Sequence, residues 1–152
     1  PVYGAKFLRD GDFDCFLIAG RYSLLEQPAL NEVFPLATSK NVGIILGGVF
    51  NSGILATGVI GKPKYNYTPA PKNIIEKVQK IETICRSHSV PLSTAAMHFC
   101  LGHPQVSSLA LGAVSPDEVK SNILAIKTTV PKSLWGDLKT EGLLENSVPT
   151  PE

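Results

Sequence analysis

A parallel α/β sheet flanked by helices is the fold class that the sequence predicts, on three observations. Short apolar runs stand at Cys15–Ala19 (CFLIA), Val42–Leu46 (VGIIL) and Val106–Leu111 (VSSLAL). Segments of helical periodicity lie between them, the order of a parallel sheet with right-handed crossovers. The first two runs are apolar at consecutive positions rather than alternating, as in strands covered on both faces.

The first run places Cys15 within a strand, where a thiol reads as inert core. After it, Leu30, Val33, Phe34 and Ala37 recur at helical spacing, and Pro35 predicts a kink or a short break. Behind the second run, Thr57 to Pro71 is a long polar loop holding Tyr65 and Tyr67, of the kind that carries function in compact domains. Pro71 opens the clearest helix. Its stripe is Ile74, Val78, Ile81 and Cys85, with Lys72, Glu76 and Lys80 along the polar side. A helix from Leu92 buries Ala95, Ala96 and Phe99 and stops at Gly102, ahead of Pro104. Ser115-Pro116-Asp117-Glu118 reads as a capping box for a helix carrying Val119, Ile123 and Ile126. Trp135 and Leu138 predict one more short helical turn. Residues 1–147 are expected to form the domain and 148–152 a flexible Pro-rich tail.

With 152 residues, one domain is expected. A net charge of +1 gives no field for holding polyphosphate, which argues against nucleic acid and anionic membrane as partners. The longest apolar run, Val42 to Phe50, is half of a spanning helix. Cys15, Cys85 and Cys100 are odd in number and form no CxxC pair, which suits a reducing cytoplasm. No signal segment opens the chain, and a start at Pro1 rather than Met suggests a piece of something longer.

Ligands of parallel α/β folds bind beyond the carboxyl ends of the strands. Two such ends are rich in small residues. Gly47-Gly48-Val49-Phe50-Asn51-Ser52-Gly53 offers backbone N–H groups and short polar side chains to a phosphate, or else forms only a tight turn. It is neither GxGxxG nor GxxxxGK[ST]. Leu111-Gly112-Ala113-Val114 runs into the helix beginning at Ser115, an anion site by its free N–H groups or simply a capped end. His98, Cys100 and His103 do not share a helix face, so no metal site is expected. Asp12 and Asp14 precede the first strand, on the wrong side for a ligand. Ser52 lacks the G-x-S-x-G elbow of a serine hydrolase.

Four segments, DFDCFLIAGRYSLLEQ, GIILGGVFNSGILATG, YNYTPAP and LALGAVSPDEVKSN, together resemble the aldo-keto reductases. The subgroup of aldose 1-dehydrogenases (L-fucose dehydrogenases) and pyridoxal 4-dehydrogenases is the most similar. The resemblance covers essentially the whole chain. It implies the C-terminal half of a (β/α)8 TIM barrel, about strands 6 to 8 with their helices. The intact protein would be an NAD(P)-dependent oxidoreductase that converts an aldose or pyridoxal hemiacetal to a lactone. The family's catalytic Asp, Tyr, Lys and His belong to the other half, so no residue here is assigned a catalytic role, and the fragment alone is expected to be inactive.

The resemblance also implies cofactor positions. Gly48, Phe50, Asn51, Ser52 and Gly53 match the pyrophosphate loop, and Gly112, Val114, Glu118, Ser121 and Asn122 match the adenosine end, with Asn122 at the adenine. Gly47 stands where many members place the aromatic that stacks on nicotinamide, and Ala19 where a glutamine holds the carboxamide. Glu118 stands where NADP-preferring members often carry arginine, which implies NAD over NADP. Substrate contacts are expected from the Thr57–Pro71 loop and near Arg21 and Tyr22. Half a barrel leaves strand edges and an apolar interior open, so the missing half or self-association should cover them. The alternative reading is a non-catalytic half-barrel that binds a nucleotide or a partner chain.

Overall fold

The computed structural model describes residues 2–151, with side chains from residue 4 onward. Three parallel strands, β1 (Cys15–Ala19), β2 (Gly43–Gly47) and β5 (Val106–Ala110), form one sheet in the order β1-β2-β5. Register runs from Cys15↔Gly43 to Ala19↔Gly47 on one side of β2. On the other side Ile44 pairs with Val106 and Ile45 with Ser108, leaving Ser107 as the extra residue of a bulge.

Helix α1 (Val2–Asp10) precedes the sheet, and α2 (Val33–Ser39) joins β1 to β2. The break expected at Pro35 lies instead at Glu32, between a 3-10 turn (Pro28–Asn31) and α2. Pro35 sits in the first turn of α2, where its missing N–H has no acceptor to lose. Helix α3 (Ile54–Thr57) follows β2, then α4 (Lys72–Ser87), α5 (Leu92–Leu101), α6 (Pro116–Lys127) and α7 (Lys132–Thr140). Helix α4 turns Val78, Ile81 and Cys85 inward as its stripe predicts, and Lys72 pairs with Glu76 at 3.7 Å on the outside. The expected tail begins on a buried residue: Val148 is 3% exposed, and a Cβ on Gly102 would meet Pro151 Cδ at 2.5 Å.

The core lies on one side of the sheet. Phe16 and Ile18 of β1 share that side with Ile44 and Leu46 of β2. Behind them Tyr22 stacks on Phe99 at 5.2 Å, Phe34 tilts against Tyr22 at 4.9 Å, and Trp135 closes on Phe99 at 6.3 Å. The opposite side departs from expectation. Cys15, Leu17 and Ala19 are exposed there, as are Ser108 and Ala110. An apolar run requires a cover, and this chain's helices cover only one face of it. Cys15 is accordingly an exposed thiol rather than core, whereas burial pushes Cys85 and Cys100 up to about 12.

His103 is buried against Phe34, ring centroids 4.0 Å apart, and its Nδ1 accepts from the Gln105 N–H at 3.1 Å. Burial pushes its pKa below the ordinary 6.5. The unfolded chain therefore binds a proton that the folded chain refuses. Stability should be full above about pH 6.5 and fall as the pH drops below it. Thermal melts at about pH 7.5 and 5.5 should show the loss, and His103→Gln should flatten it.

Candidate functional site

Strand pairing aligns the two small-residue ends, since Gly47 pairs with Ala110 at the last rung of β2 and β5. The 48–53 loop and the 111–115 segment thus leave the same edge of the sheet side by side. Gly48 has φ +64, and a Cβ there would lie 3.0 Å from the Gly20 N, so this glycine lets two strand ends approach. Asn51, Ser52 and Gly53 follow with φ of +47, +62 and +97, three left-handed residues in succession. Within the loop the N–H groups of Asn51 and Gly53 bond to the Gly48 and Phe50 carbonyls. Those of Phe50 and Ser52 find no partner among the described residues, which leaves them for an acceptor.

Phe50 and Gly53 are half-buried, while Gly48 and Ser52 are exposed. Asn51 is turned inward, 3% exposed, and its Nδ2 donates to Glu26 Oε1 at 3.4 Å while Oδ1 has no partner among the described residues. Its side chain is therefore not offered to solvent.

The expected long loop contains a hairpin of β3 (Lys64–Tyr65) and β4 (Thr68–Pro69). Its turn, Asn66-Tyr67, has φ of +49 and +65, the type I′ geometry. The Tyr67 N–H donates to Ser52 Oγ at 3.0 Å, so the hairpin folds back onto the 48–53 loop. Burial first, then the Glu26 carboxylate, pushes the Tyr65 phenol up to about 12. Tyr22 is fully buried and raised further by burial, so it is core rather than the substrate contact expected. Neither phenol is an activated proton donor.

At the β5 end, Ser115 Oγ accepts from the Glu118 N–H at 3.2 Å, and Glu118 Oε2 accepts from the Val114 N–H at 2.9 Å. The cap is made, and it occupies two of the donors an anion would use. Asp117 and Glu118 add negative charge to the first turn. Gly112, Val114, Glu118 and Ser121 are exposed, and Asn122 is half-buried. Asn122 borders an open cleft of about 240 Å³ with Leu109, Leu111, Ala113, Val119 and Ile123. The apolar stripe of α6 has no cover here: Val119 is 47% and Ile123 51% exposed. Among the described residues no cluster of His, Cys, Asp or Glu could hold a metal ion, and no helix is long and apolar enough to cross a membrane.

The sequence profile of the Aldo/keto reductase family matches residues 4–140. The chain belongs to this family. It is 42% identical to the pyridoxal 4-dehydrogenase of Microbacterium luteolum over 137 residues, which cover 90% of this chain and 40% of that protein. It is 37% identical to the D-threo-aldose 1-dehydrogenase of a Pseudomonas species over 150 residues, 96% and 44% of the two chains. In structure it resembles the aldo-keto reductase AKR11C1 of Bacillus halodurans in its apo form, with a TM-score of 0.68, 22% identity and coverage of 94% and 47%. The chain therefore spans less than half the length of these relatives. Its three parallel strands and their helices are part of the aldo/keto reductase (β/α)8 barrel.

Proposed function

We propose that this aldo/keto reductase chain is the dinucleotide-holding part of an oxidoreductase acting on an aldose or pyridoxal hemiacetal. The observation that carries the reading is the alignment of two small-residue strand ends at one sheet edge, through Gly47 and Ala110. The residues suit a dinucleotide. The free N–H groups of Phe50 and Ser52 and the Ser52 hydroxyl would hold a diphosphate, and Asn122 would meet the adenosine end. Bound there, a nicotinamide ring supplies the hydride acceptor for oxidation of the hemiacetal carbon to a lactone. This chain's share is to bind and orient; the proton-transferring Asp, Tyr, Lys and His belong to the family's other half.

The acidic first turn of α6 favours NAD over a cofactor with an additional phosphate. Three free cysteines agree with a reducing, cytoplasmic setting. The open sheet face and the bare stripe of α6 call for a cover, supplied by the other half of the barrel or by a second chain. That uncovered face is what favours the second reading, a half-barrel that binds nucleotide or a partner without catalysis.

Fluorescence titration with NADH and an NAD reduction assay with L-fucose and pyridoxal test the proposal together. The chain alone should bind NADH without turnover, and a chain extended to the length of its relatives should reduce NAD with one of the two substrates. Absence of NADH binding to both would overturn it. Binding without turnover by the extended chain would favour the second reading.

A further inference from the structure

Beyond the 48–53 loop, the structure gathers a group of polar side chains around Glu26, in the segment that follows β1. Asn51 from the loop after β2 donates to Glu26 Oε1 at 3.4 Å. Tyr65 from the hairpin brings its phenol beside the same carboxylate. Lys77 from α4 donates to the Leu25 carbonyl at 2.7 Å, and its charge lies near Glu26 and Glu145. A single half-buried carboxylate thus faces groups from three separate parts of the chain.

The loop that Asn51 belongs to has reason to need holding. Three left-handed residues in succession, two of them not glycine, relax unless their surroundings fix them. Two side-chain links run out of this turn, Asn51 to Glu26 and Ser52 to the Tyr67 N–H, and the second joins it to the same hairpin that carries Tyr65. Asn51 makes its link at the cost of a buried Oδ1 with no partner among the described residues. A side chain left half-satisfied in a strained turn is explained if its one bond sets the position of that turn.

We propose that Glu26 is a positioning residue whose carboxylate ties the 48–53 loop and the β3–β4 hairpin into one unit, so that both are held ready for a dinucleotide diphosphate. The proposal rests on the dinucleotide reading for its purpose, but the tie itself is a property of the free chain. Toward Asn51, a donor, what Glu26 supplies is an acceptor oxygen. Glutamine in its place, which keeps an acceptor oxygen for Asn51, should therefore preserve the unit, and leucine should release it.

Hydrogen exchange on the free chain reads the tie directly. Glu26→Leu should raise exchange at the hydrogen-bonded amides of Asn51, Gly53 and Tyr67 while leaving those of β2 and α5 unchanged, and Glu26→Gln should match the parent. Tyr65→Phe should raise exchange at Tyr67 and spare Asn51 and Gly53. NADH titration reads the consequence: Glu26→Leu should bind roughly tenfold more weakly, since two segments must then be ordered on binding. Unchanged exchange in Glu26→Leu would overturn the proposal, as would Glu26→Gln behaving like leucine. If the parent chain binds no NADH while Glu26→Leu still loosens both segments, the tie stands and the dinucleotide reading fails.

Discussion

Phe99→Ala should destabilise the chain by about 3–5 kcal/mol, toward the upper end of that range. Phe99 is fully buried, with Tyr22 stacked at 5.2 Å on one side and Trp135 at 6.3 Å on another. Both neighbours are rigid rings, Tyr22 itself held by Phe34 at 4.9 Å, so the cavity cannot collapse cheaply. A domain of this size is stable by only about 5–15 kcal/mol, so the loss is a large fraction of the total. The melting temperature should fall by roughly 6–20 °C, and the urea midpoint should fall with an unchanged slope. Tyr22→Phe is the contrasting control. The Tyr22 hydroxyl is buried with no partner among the described residues, so its removal should be neutral or mildly stabilising.

NADH should bind more tightly than NADPH by about tenfold or more, and Glu118→Gln should shrink that ratio. Glu118 is not free to swing away, because its Oε2 accepts from the Val114 N–H at 2.9 Å at the head of α6. A carboxylate about 4 Å from a phosphate charge is repelled by roughly 4 kcal/mol at an effective dielectric of 20. Solvent and salt reduce this at an exposed position, and about 1.4 kcal/mol is enough for a factor of ten. Competition of the two reduced dinucleotides at low salt measures the ratio. Equal affinities, or tighter NADPH, would remove the adenosine end from α6.

The strands were legible in the sequence to within one residue, because an apolar run bounded by helical patterns has few other places to go in a parallel fold. Their covering was not legible. CFLIA reads alike whether both faces are packed by its own chain or one of them waits for something else. The hairpin of Lys64–Tyr65 and Thr68–Pro69 escaped for a different reason. Its strands are too short to show a period, and only the left-handed pair Asn66-Tyr67 defines it. Helix α1 was not read, although Ala5 and Leu8 stand at helical spacing and are both fully buried.

At the site, Gly48 to Gly53 could be picked out by composition and by resemblance, since glycine and short polar residues after a strand are visible one by one. Whether Asn51 faces a ligand or the interior depends on a carboxylate 25 positions earlier in the chain, and that pairing has no local signal. Glu26 carries one hint, a lone charge following the apolar Leu24-Leu25, where a loop residue with no task would more simply face water. The capping box of α6 was legible in its first half, Ser115 accepting from the Glu118 N–H, whereas Glu118 accepts from the Val114 N–H one residue ahead of the Ser115 N–H that the Ser-x-x-Glu pattern implies.

The two sides of the three-stranded sheet differ in the volume they allot to side chains. Toward the helices stand Phe16, Ile18, Ile44 and Leu46, whereas the other side offers Cys15, Ala19, Gly43, Gly47, Ser108 and Ala110, relieved only by Leu17 and Ile45. A surface so shallow cannot fill the space beneath a covering layer by itself. Whatever polypeptide closes over it has to bring the bulk, and the fit of the closed interior is then written mainly in the sequence of the cover.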